Sequence, residues 1–487
     1  MQLEQYGFQL ACICSLLFLL ATYLFREISN GKRLFIKNKK LFPPGPKGLP
    51  LIGSFLTIGD RAHESLAKLA QTYGPLMTLR LGFVNVVKHD TDFMGRPTPD
   101  AVTAENGYEL TLTWLPPGPQ WKKLRKICNT HILSAQTLDS LRDVRHRAMD
   151  DMIRRIQEAS GAIQIGGLAF ATAVQLLSNS LFTTNMLDPR SDAMKELEGK
   201  PNLADFFPFL RPFDAQGIRR EIKLSYDRLH GLIDDMIDRR MKQRRNYGGS
   251  DRCGDILDIL LDYTGDQGPQ GLTHLDIKLL ITDVFIGGTD TSSTTVEWVL
   301  AELLHYPTIL SKLKRELSEK VIPGKPIQEQ DIPRLAYLTA VIKETMRLHP
   351  VAPLLLPRRT EQDVVIQGYT IPKHTRVWVN FWSMTRDPTY WDEPARFVPE
   401  RFLNSDDVGF RGSSDFSFVP FGAGRRVCPG LNLAVRMVSL IVATLVREFD
   451  WKLPDGMEPE DMDMTDKFGV TLRKAQPLSA IPIRITR

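Results

Sequence analysis

FVPFGAGRRVCPG, residues 418–430, places a single cysteine, Cys428, among glycines and prolines that prevent a regular helix or strand. An apolar helix is predicted to begin directly after it, at Leu431. A cysteine at a helix N-terminus is favoured as a thiolate, because the helix dipole and the free backbone N–H groups stabilise negative charge. Arg425 and Arg426 add positive charge beside it. Taken by itself, the stretch also fits a buried structural cysteine next to a tight turn.

The spacing of residues within this stretch helps to distinguish a reactive thiolate from a structural cysteine. Phe421, Gly424, Arg426, Cys428 and Gly430 fit the pattern Phe-x-x-Gly-x-Arg-x-Cys-x-Gly. The stretch therefore resembles the cysteine loop of the cytochrome P450 superfamily. A cysteine thiolate on haem iron supplies electron density that favours cleavage of the O–O bond. The resemblance implies haem b as the cofactor, with Cys428 as the axial ligand of its iron and the metal-binding residue of the protein.

Residues 287–292, GGTDTS, lie in a long, largely apolar segment that is predicted to be a central buried helix. A glycine in a helix interior costs about 1 kcal/mol, so two adjacent glycines require a reason. The segment resembles the oxygen-activation motif of the superfamily. The resemblance implies that the missing side chains open a groove for dioxygen and that Thr291 and Asp290 are catalytic residues that relay protons to it. The alternative is a helix kink in which Thr291 bonds to its own turn.

Two further segments, ETMR at residues 344–347 and PERF at residues 399–402, resemble a structural lock of the same superfamily. Glu344 and Arg347 lie three positions apart on one helix face, and such a pair would also form on an ordinary surface helix. The resemblance implies that both join Arg401 to hold the cysteine loop in place, without taking part in the chemistry.

A group of residues is expected to bind the haem propionates. Trp121 and Arg125 lie at positions i and i+4 on one helix face, as two donors to adjacent propionates must. They resemble the Trp-x-x-x-Arg helix of the superfamily, and Arg358 matches a further propionate contact of its plant members. Together with Arg426 they form the expected anionic clamp of the cofactor site. Each of them alone also fits an ordinary surface residue.

The N-terminal segment is predicted to be a membrane anchor. Residues 8–25, FQLACICSLLFLLATYLF, hold no charged side chain, and as a helix with ~1.5 Å rise per residue they would span just under ~30 Å. Basic residues follow the run, which orients the rest of the chain toward the cytosol. A cleaved signal peptide is the alternative, but no basic residue precedes the run and no small-x-small cleavage site follows it. The proline-rich residues 41–50 form a stiff connector.

The expected domains are therefore a membrane anchor with its basic flank, residues 1–40, and a haem-thiolate monooxygenase domain, residues 41–487. We expect a single-pass protein of the endoplasmic reticulum membrane with its catalytic domain in the cytosol. The net charge of +5 is mild and lacks a concentrated basic stripe, so no nucleic-acid partner is expected. The five cysteines form no CxxC pair, and they indicate a reducing compartment.

Apolar residues that recur every three to four positions predict helices over residues 121–132, 138–156 and 222–242. Residues 277–305, apolar on nearly all sides, are predicted to form the central buried helix, and residues 332–348 another helix, which the prolines after it end. Short β-like runs occur at residues 76–81, 364–369 and 377–380. We expect a fold that is mainly α with small β-sheets, the cytochrome P450 fold behind a single N-terminal transmembrane helix.

The resemblance extends over nearly the whole chain and implies a plant microsomal enzyme. PNLADFFP at residues 201–208, DAQGI at residues 214–218 and KFGVTL at residues 467–472 resemble the geraniol 8-hydroxylase and ferruginol synthase group. The implied function is insertion of one oxygen atom from O2 into a small hydrophobic plant metabolite, with a terpenoid favoured over an alkaloid or a phenolic compound. Electrons would come from NADPH through cytochrome P450 reductase, since the chain has no Gly-rich dinucleotide fingerprint after a strand.

Two other functions remain open on the same fold. One is an isomerase or lyase that acts on peroxides without external electrons, although such an enzyme would not need the proton relay of Thr291 and Asp290. The other is a catalytically silent haem-binding scaffold. It is suggested by residues 79–96, LRLGFVNVVKHDTDFMGR, where family members carry a second strand and a short helix and this chain joins the two ends almost directly. At least one complete element beside the substrate pocket is expected to be missing.

Overall fold

The computed structural model describes residues 42–49, 52–81, 84–87, 94–104, 108–184, 202–246, 253–264, 271–403 and 408–485. The predicted transmembrane helix, residues 8–25, and its basic flank lie outside the described residues.

Helices make up most of the described chain, and the sheets are small, as the sequence predicts. The α-helices are α1 (Phe55–Ile58), α2 (Ala62–Tyr73), α3 (Pro119–Ile127), α4 (Ala135–Ser140), α5 (Arg142–Glu158), α6 (Ile165–Phe182), α7 (Ile218–Asn246), α8 (Ile256–Leu261), α9 (His274–His305), α10 (Pro307–Lys320), α11 (Ala336–Leu348), α12 (Phe381–Met384) and α13 (Leu431–Glu448). The strands are β1 (Thr78–Leu81), β2 (Val84–Val87), β3 (Ile163–Gln164), β4 (Arg358–Arg359), β5 (Val364–Ile366), β6 (Tyr369–Ile371), β7 (Arg376–Val377), β8 (Phe449–Lys452), β9 (Asp466–Lys467), β10 (Arg473–Lys474) and β11 (Ser479–Arg484).

Helix α9 is the centre of the fold. Thr273 and Asp276 form a capping box at its N-terminus, so the first turn has satisfied donors. The helix packs along α6 and also contacts α7, α11 and α13. It remains α-helical through both glycines. A methyl group on Gly288 would lie 2.9 Å from a side-chain carbon of Leu177 in α6, whereas one on Gly287 would meet nothing within 4 Å. Gly288 therefore serves close helix packing, and Gly287 leaves open space.

Helix α6 is long and apolar enough to cross a membrane, and it is the one helix among the described residues with that property. Most of it is buried, between α5 and α9. Its apolar character on all sides is that of a core helix enclosed by other helices.

The predicted helices are present, but several of them begin or end at residues other than those predicted. The span 121–132 ends as an α-helix at Ile127 and continues as one π-helical turn, Cys128–Ile132. The span 138–156 is divided at Leu141 between α4 and α5. The span 332–348 begins with a short 3₁₀ turn, Ile332–Arg334, because Pro333 cannot donate a backbone hydrogen bond, and the α-helix starts at Ala336.

The sheets lie outside the helical core. Strands β1, β2, β7 and β4 form one sheet in that order, with β2 and β7 parallel and the other pairs antiparallel. Strands β3, β11 and β8 form a second sheet, while β5–β6 and β9–β10 are separate hairpins. The predicted strand at residues 364–369 is two strands, since Gln367 and Gly368 have φ of 49° and 81° and make the two-residue turn of a hairpin.

The region expected to be shortened retains its second strand. Strand β2 pairs with β1 from Val84 opposite Leu81 to Val87 opposite Thr78, and it also joins β7. The sequence predicted that the two ends of this region are joined almost directly, without a second strand. This prediction is wrong for the strand, because the four residues VNVV form it. The expected loss of the short helix falls largely at residues 88–93, outside the described residues, and stays a prediction.

Candidate active site

The cysteine loop has the predicted form, a glycine-rich turn at a helix N-terminus. Gly422 and Gly424 adopt φ of 70° and 69°, the left-handed region that glycine enters without a steric penalty. The Cys428 N–H donates to the carbonyl oxygen of Phe421 at 2.9 Å and closes the loop. Helix α13 begins three residues later, with Gly430 as its N-cap. The thiol is thereby fixed at the start of the helix.

The Cys428 side chain has accessible surface, yet burial raises the pKa of its thiol. The two observations agree if the accessible surface faces an internal cavity and not bulk water. The backbone N–H groups of Gly430 and Leu431 lower this pKa, as does the charge of Arg125, but burial outweighs all three. Arg125 of α3, which is distant in sequence, thus contributes positive charge at the thiol, and the contribution expected from Arg425 and Arg426 stays a prediction. Burial thus favours the neutral thiol, and a metal ion bound to Cys428 would favour the thiolate.

Trp121, Arg125 and Arg426 lie together beside the loop. Arg125 donates to the carbonyl oxygen of Val427, the neighbour of Cys428. The Arg426 guanidinium lies 4.6 Å from the centre of the Trp121 ring. Among the described residues, its side chain donates to three backbone carbonyl oxygens, of Met94 at 3.1 Å, Leu112 at 3.3 Å and Leu115 at 2.6 Å. Because a guanidinium has five N–H groups, two remain for an anion.

Arg358 is buried next to the same loop, and its guanidinium donates to the carbonyl oxygen of Ala423 at 3.3 Å. The structure thus brings together all four cofactor-binding side chains predicted around Cys428, and Arg125, Arg358 and Arg426 are close enough to influence one another electrostatically.

A further arginine, which the sequence did not single out, belongs to this group. Arg96 is buried and donates to the carbonyl oxygens of Leu356 and Pro357, while its Nε has no hydrogen-bond partner within the part of the chain that the structure describes. Burial and the charges of Arg426 and Arg358 lower the pKa of Arg96 to about 9. No local pattern marks it, because its neighbours are distant in sequence.

The arginine cluster fits an anionic ligand. Burial and the charges of Arg358 and Arg125 lower the pKa of Arg426 to about 10, just as burial and the charges of Arg426 and Arg358 lower the pKa of Arg96. Buried positive charges without a negative partner are unfavourable. Two carboxylates, such as haem propionates, would place negative charge beside these guanidinium groups and accept hydrogen bonds from their N–H groups. The residues present therefore suit haem, with a thiol for its iron and guanidinium groups for its propionates.

The predicted lock behind the loop is present. Glu344 and Arg347 are fully buried and paired through two bonds, of 2.7 and 2.8 Å. Arg401 Nε donates to the same carboxylate at 3.0 Å. Phe402, next to Arg401, packs 5.2 Å from the ring of Phe418, the first residue of the cysteine loop. The ion pairs are thus connected to the loop through aromatic packing.

Thr291 and Asp290 have different surroundings. The Thr291 hydroxyl donates to the carbonyl oxygen of Gly287 at 2.7 Å, the bond that the alternative interpretation expects, although the helix stays continuous. Thr291 and Gly287 share one face of α9, where space is open. The Asp290 carboxylate is buried instead against the C-terminal segment, where Thr471 and Arg473 donate to it at 2.7 Å each.

Apolar residues outside the cysteine loop lie in several environments. Phe206 packs edge-on against Phe55 and Trp378 in a second apolar cluster, which also contains Leu354 and Phe468. Others belong elsewhere: Phe285 is part of the main core, and Val470 is exposed.

Comparison with known proteins identifies the family. Residues 43–479 match the family model described as Cytochrome P450. Geraniol 8-hydroxylase from Swertia mussotii is 42% identical over 473 residues, which cover 92% of this chain and 94% of the relative. Geraniol 8-hydroxylase from Catharanthus roseus is 41% identical over 500 residues, covering 97% of this chain and 99% of the relative. A geranylhydroquinone 3''-hydroxylase from Arnebia euchroma is 38% identical, covering 96% and 98%.

The match extends across the fold and includes the cysteine loop, the arginine cluster and the buried lock. The alignment with the Catharanthus enzyme runs over more positions than this chain has residues, which agrees with a chain shortened relative to that enzyme. The chain belongs to the cytochrome P450 family and is a monooxygenase of the haem-thiolate type.

Proposed function

We propose that the protein hydroxylates a small terpenoid, with haem b ligated by Cys428 and with electrons from NADPH that arrive through cytochrome P450 reductase. The observation that carries the proposal is the accessible Cys428 thiol beside a cluster of arginine side chains, in which neighbouring positive charges lower the pKa of Arg96 and of Arg426. When bound, haem supplies the redox chemistry that activates dioxygen. Cys428 would hold its iron, and Trp121, Arg125, Arg358 and Arg426 would hold its propionates.

The protein side chains have a second task, the supply of protons. Thr291 lies on the open face of α9 next to Gly287, where its hydroxyl could pass a proton to the reacting dioxygen. Asp290 would deliver protons to that face from its buried position. This requirement favours a monooxygenase over an isomerase or lyase, which needs no such supply.

The surface around the cysteine loop supports a reductase as the partner. Lys122 and Lys126 on α3 and Arg425 in the loop are exposed, and α3 contacts the loop through Arg125 and Val427. A basic surface close to the cofactor suits an acidic docking surface on an electron donor, since complementary charge speeds encounter.

Membrane attachment is supported by the sequence and by an apolar patch. Leu49, Leu56, Phe209 and Phe213 are exposed. Ring contacts from Phe55 to Phe207, and from Phe207 to Phe209, connect the N-terminal part of the domain to the segment that carries these phenylalanines. We propose that residues 1–40 anchor the protein in the endoplasmic reticulum membrane and that residues 41–487 form a catalytic domain in the cytosol. The apolar patch of this domain would then lie on the membrane surface.

The relatives and the apolar cluster around Phe206 support a terpenoid substrate. Three of the similar proteins are named for hydroxylation of geraniol or of a geranyl-bearing hydroquinone. The cluster of Leu354, Phe206 and Phe468 is apolar, as a site for such a substrate must be.

The test uses the full chain, expressed with a plant reductase in microsomes. Geraniol, geranylhydroquinone, an alkaloid and a simple phenol are supplied separately with NADPH, and products are identified by mass spectrometry. We expect a hydroxylated terpenoid that depends on NADPH and reductase and is absent with Cys428→Ala. A product from the alkaloid or phenol alone would overturn the substrate class. Turnover of a peroxide without NADPH, with no hydroxylation, would overturn the monooxygenase reaction proposed here.

A further inference from the structure

His63 is a fully buried histidine beside the apolar cluster of Leu354, Phe206 and Phe468. The centre of its ring lies 5.3 Å from that of Phe468, with the two planes nearly parallel at 18°. It lies 4.9 Å from that of Trp382, edge-on at 74°. Neither ring nitrogen has a hydrogen-bond partner within the described residues. A buried polar group without such partners is unfavourable, so the ring must be placed here for its contacts with the two aromatic side chains.

Phe468 is the part of the apolar cluster that His63 touches. It follows strand β9 and begins the loop that joins β9 to β10. Its side chain is partly buried and packs against the cluster. Val470, two residues later in the same loop, is exposed. The loop therefore contributes the ring of Phe468 to the cluster while its tip faces solvent.

The far end of this loop is fixed through its backbone. The Leu472 N–H donates to the carbonyl oxygen of Val351 at 2.8 Å, and the Leu472 carbonyl oxygen accepts a bond from Trp298 Nε1 at 2.9 Å. Phe468 lies four residues earlier, so these bonds do not fix the orientation of its ring. A stacked aromatic partner does restrict a phenyl ring, and His63 is such a partner.

The histidine is itself held by α12 and by the hairpin. Its backbone carbonyl oxygen accepts a bond from Asn380 Nδ2 at 2.7 Å, while Asn380 Oδ1 accepts the N–H of Ser383 at 3.0 Å in the first turn of α12. Its ring Nε2 lies 3.6 Å from Asp466 Oδ1 at the start of β9, and Arg61 Nη2 donates to the same oxygen at 2.8 Å. The beginning of α2 is thus fastened to the hairpin two residues before Phe468.

Trp382 supports the other side of the His63 ring. Its backbone N–H donates to the carbonyl oxygen of Pro353 at 3.0 Å, next to Leu354 of the apolar cluster. The guanidinium of Arg386 lies 4.1 Å from the centre of the indole. The imidazole is therefore enclosed between a fixed indole and the ring of Phe468, and it sets the distance between them.

We propose that His63 is a positioning residue that holds Phe468 in the apolar cluster and thereby determines how tightly and in which orientation the substrate binds. The inference rests on the proposed function, which assigns this cluster to the substrate. There the reacting atoms lie at Cys428 and Thr291, so His63 acts on the substrate through Phe468 and is not a catalytic residue.

The test compares His63→Ala and His63→Phe in the full, haem-loaded chain with reductase, using geraniol as the probe. Its dissociation constant is measured from the change in haem absorbance, and kcat, KM and the products are measured with NADPH. In His63→Ala the dissociation constant and KM should rise about three- to tenfold, as expected for a lost aromatic contact, with kcat changed less than about twofold. His63→Phe should restore both constants, because it keeps the stacked ring and loses no hydrogen bond of the imidazole.

A double-variant cycle shows whether His63 acts through Phe468. Phe468→Ala alone should weaken geraniol binding, and His63→Ala added to it should cause little further change, whereas independent residues would give effects that multiply. A less restricted substrate should also be hydroxylated at more than one carbon. The share of the main product should therefore fall in His63→Ala and recover in His63→Phe.

His131→Ala is the matched control. It removes an imidazole that packs edge-on against the ring of Tyr263, with 5.4 Å between the ring centres, and neither residue belongs to the apolar cluster. It should lower the melting temperature and leave the dissociation constant and the products unchanged. A second readout needs no substrate: amide hydrogen exchange over residues 466–474 should increase in His63→Ala and not in His131→Ala.

Equal effects of His63→Ala and His131→Ala on the dissociation constant would overturn the positioning role, because general loosening would then explain both. The same holds if His63→Phe behaves like His63→Ala, or if the effects of His63→Ala and Phe468→Ala multiply. Conversion of the alkaloid or the phenol but not of geraniol would instead overturn the terpenoid assignment, and the variants are then compared with the converted compound. Unchanged KM and products in His63→Ala with that compound would overturn the positioning role alone.

Discussion

Glu344→Gln would remove the negative charge at the centre of the buried lock. The carboxylate accepts four hydrogen bonds: two from Arg347, one from Arg401 Nε at 3.0 Å and one from the N–H of Val398 at 2.8 Å. An amide has one oxygen to accept them, and its NH2 group would face guanidinium donors. Arg347 would keep its bonds to the carbonyl oxygens of Thr385, Pro394 and Arg396, but its buried charge would lose its partner.

The expected loss of stability is about 3–5 kcal/mol, the usual cost of removing one partner from a buried ion pair. Domains are typically stable by about 5–15 kcal/mol, so this is a large part of the total. The loss should reach the cysteine loop through the packing of Phe402 on Phe418. Denaturant unfolding followed by fluorescence gives the midpoint, and the carbon-monoxide difference spectrum per milligram of protein gives the haem content. We expect both to fall.

Glu393→Gln is the control, since Glu393 pairs with Arg396 at the same i, i+3 spacing but on the surface. Exposed pairs contribute little, so neither the midpoint nor the haem content should change measurably. Equal behaviour of the two variants would refute the reasoning, because burial would then make no difference to the pair. A normal haem content in a clearly destabilised Glu344→Gln would refute only the connection from the lock to the cysteine loop.

Four other predictions follow from the site and the anchor. Cys428→Ala should abolish the thiolate-type carbon-monoxide band, and an intact band would exclude this ligand. Deletion of residues 1–25 should weaken membrane attachment in a flotation assay without loss of haem; haem loss would show that the anchor belongs to the catalytic fold. Thr291→Ala should keep that band and release more peroxide per NADPH, whereas a lower melting point with unchanged coupling would indicate a structural role. Gly287→Ala should raise the free energy of unfolding by up to about 1 kcal/mol in denaturant unfolding. Gly288→Ala should not raise it, because the added methyl group would press on α6, and an equal gain in both variants would contradict the packing role of Gly288.

The cysteine loop and the lock were predictable because their information is local. The glycines at 422 and 424 and the helix after residue 430 are encoded within a few positions, and the pair of Glu344 and Arg347 follows from helical spacing. The main helices were predictable for the same reason, since their periodicity extends over many residues. The ends of these helices were less predictable from the sequence, as the separation of α4 from α5 at Leu141 shows.

The partners of the site residues were not predictable, because they are distant in the chain. Arg96 joins the arginine cluster only when the fold brings it beside Arg358 and Arg426. The carboxylate of Asp290 accepts a hydrogen bond from Arg473, which lies 183 positions later in the chain. No local spacing encodes such a pair. The motif around residue 290 therefore predicted an acidic residue but not its hydrogen-bond partners, Thr471 and Arg473. Strand β2 was missed for a related reason, since four residues form a strand only against β1 and β7.

Two of the three aspartates of α9, Asp283 and Asp290, have parallel tasks. Asp283 and Asp290 are seven positions apart and so lie on the same side of the helix, two turns from each other. Asp283 accepts hydrogen bonds from the N–H of Leu112 at 2.7 Å and from the hydroxyl of Thr113 at 2.8 Å. The carbonyl oxygen of Leu112 in turn accepts a bond from Arg426, two residues before Cys428.

Each aspartate thereby fastens one segment to the central helix. Asp283 holds the loop that also binds the guanidinium of Arg426, and Asp290 holds the C-terminal hairpin through Arg473. Asp290 is rotated from Thr291 by about 100°, and its carboxylate faces the C-terminal segment. The central helix thus carries charges that fix the surrounding segments close to the open space at Gly287. This arrangement requires a helix that is buried on several sides yet retains acidic residues, which is the composition of α9.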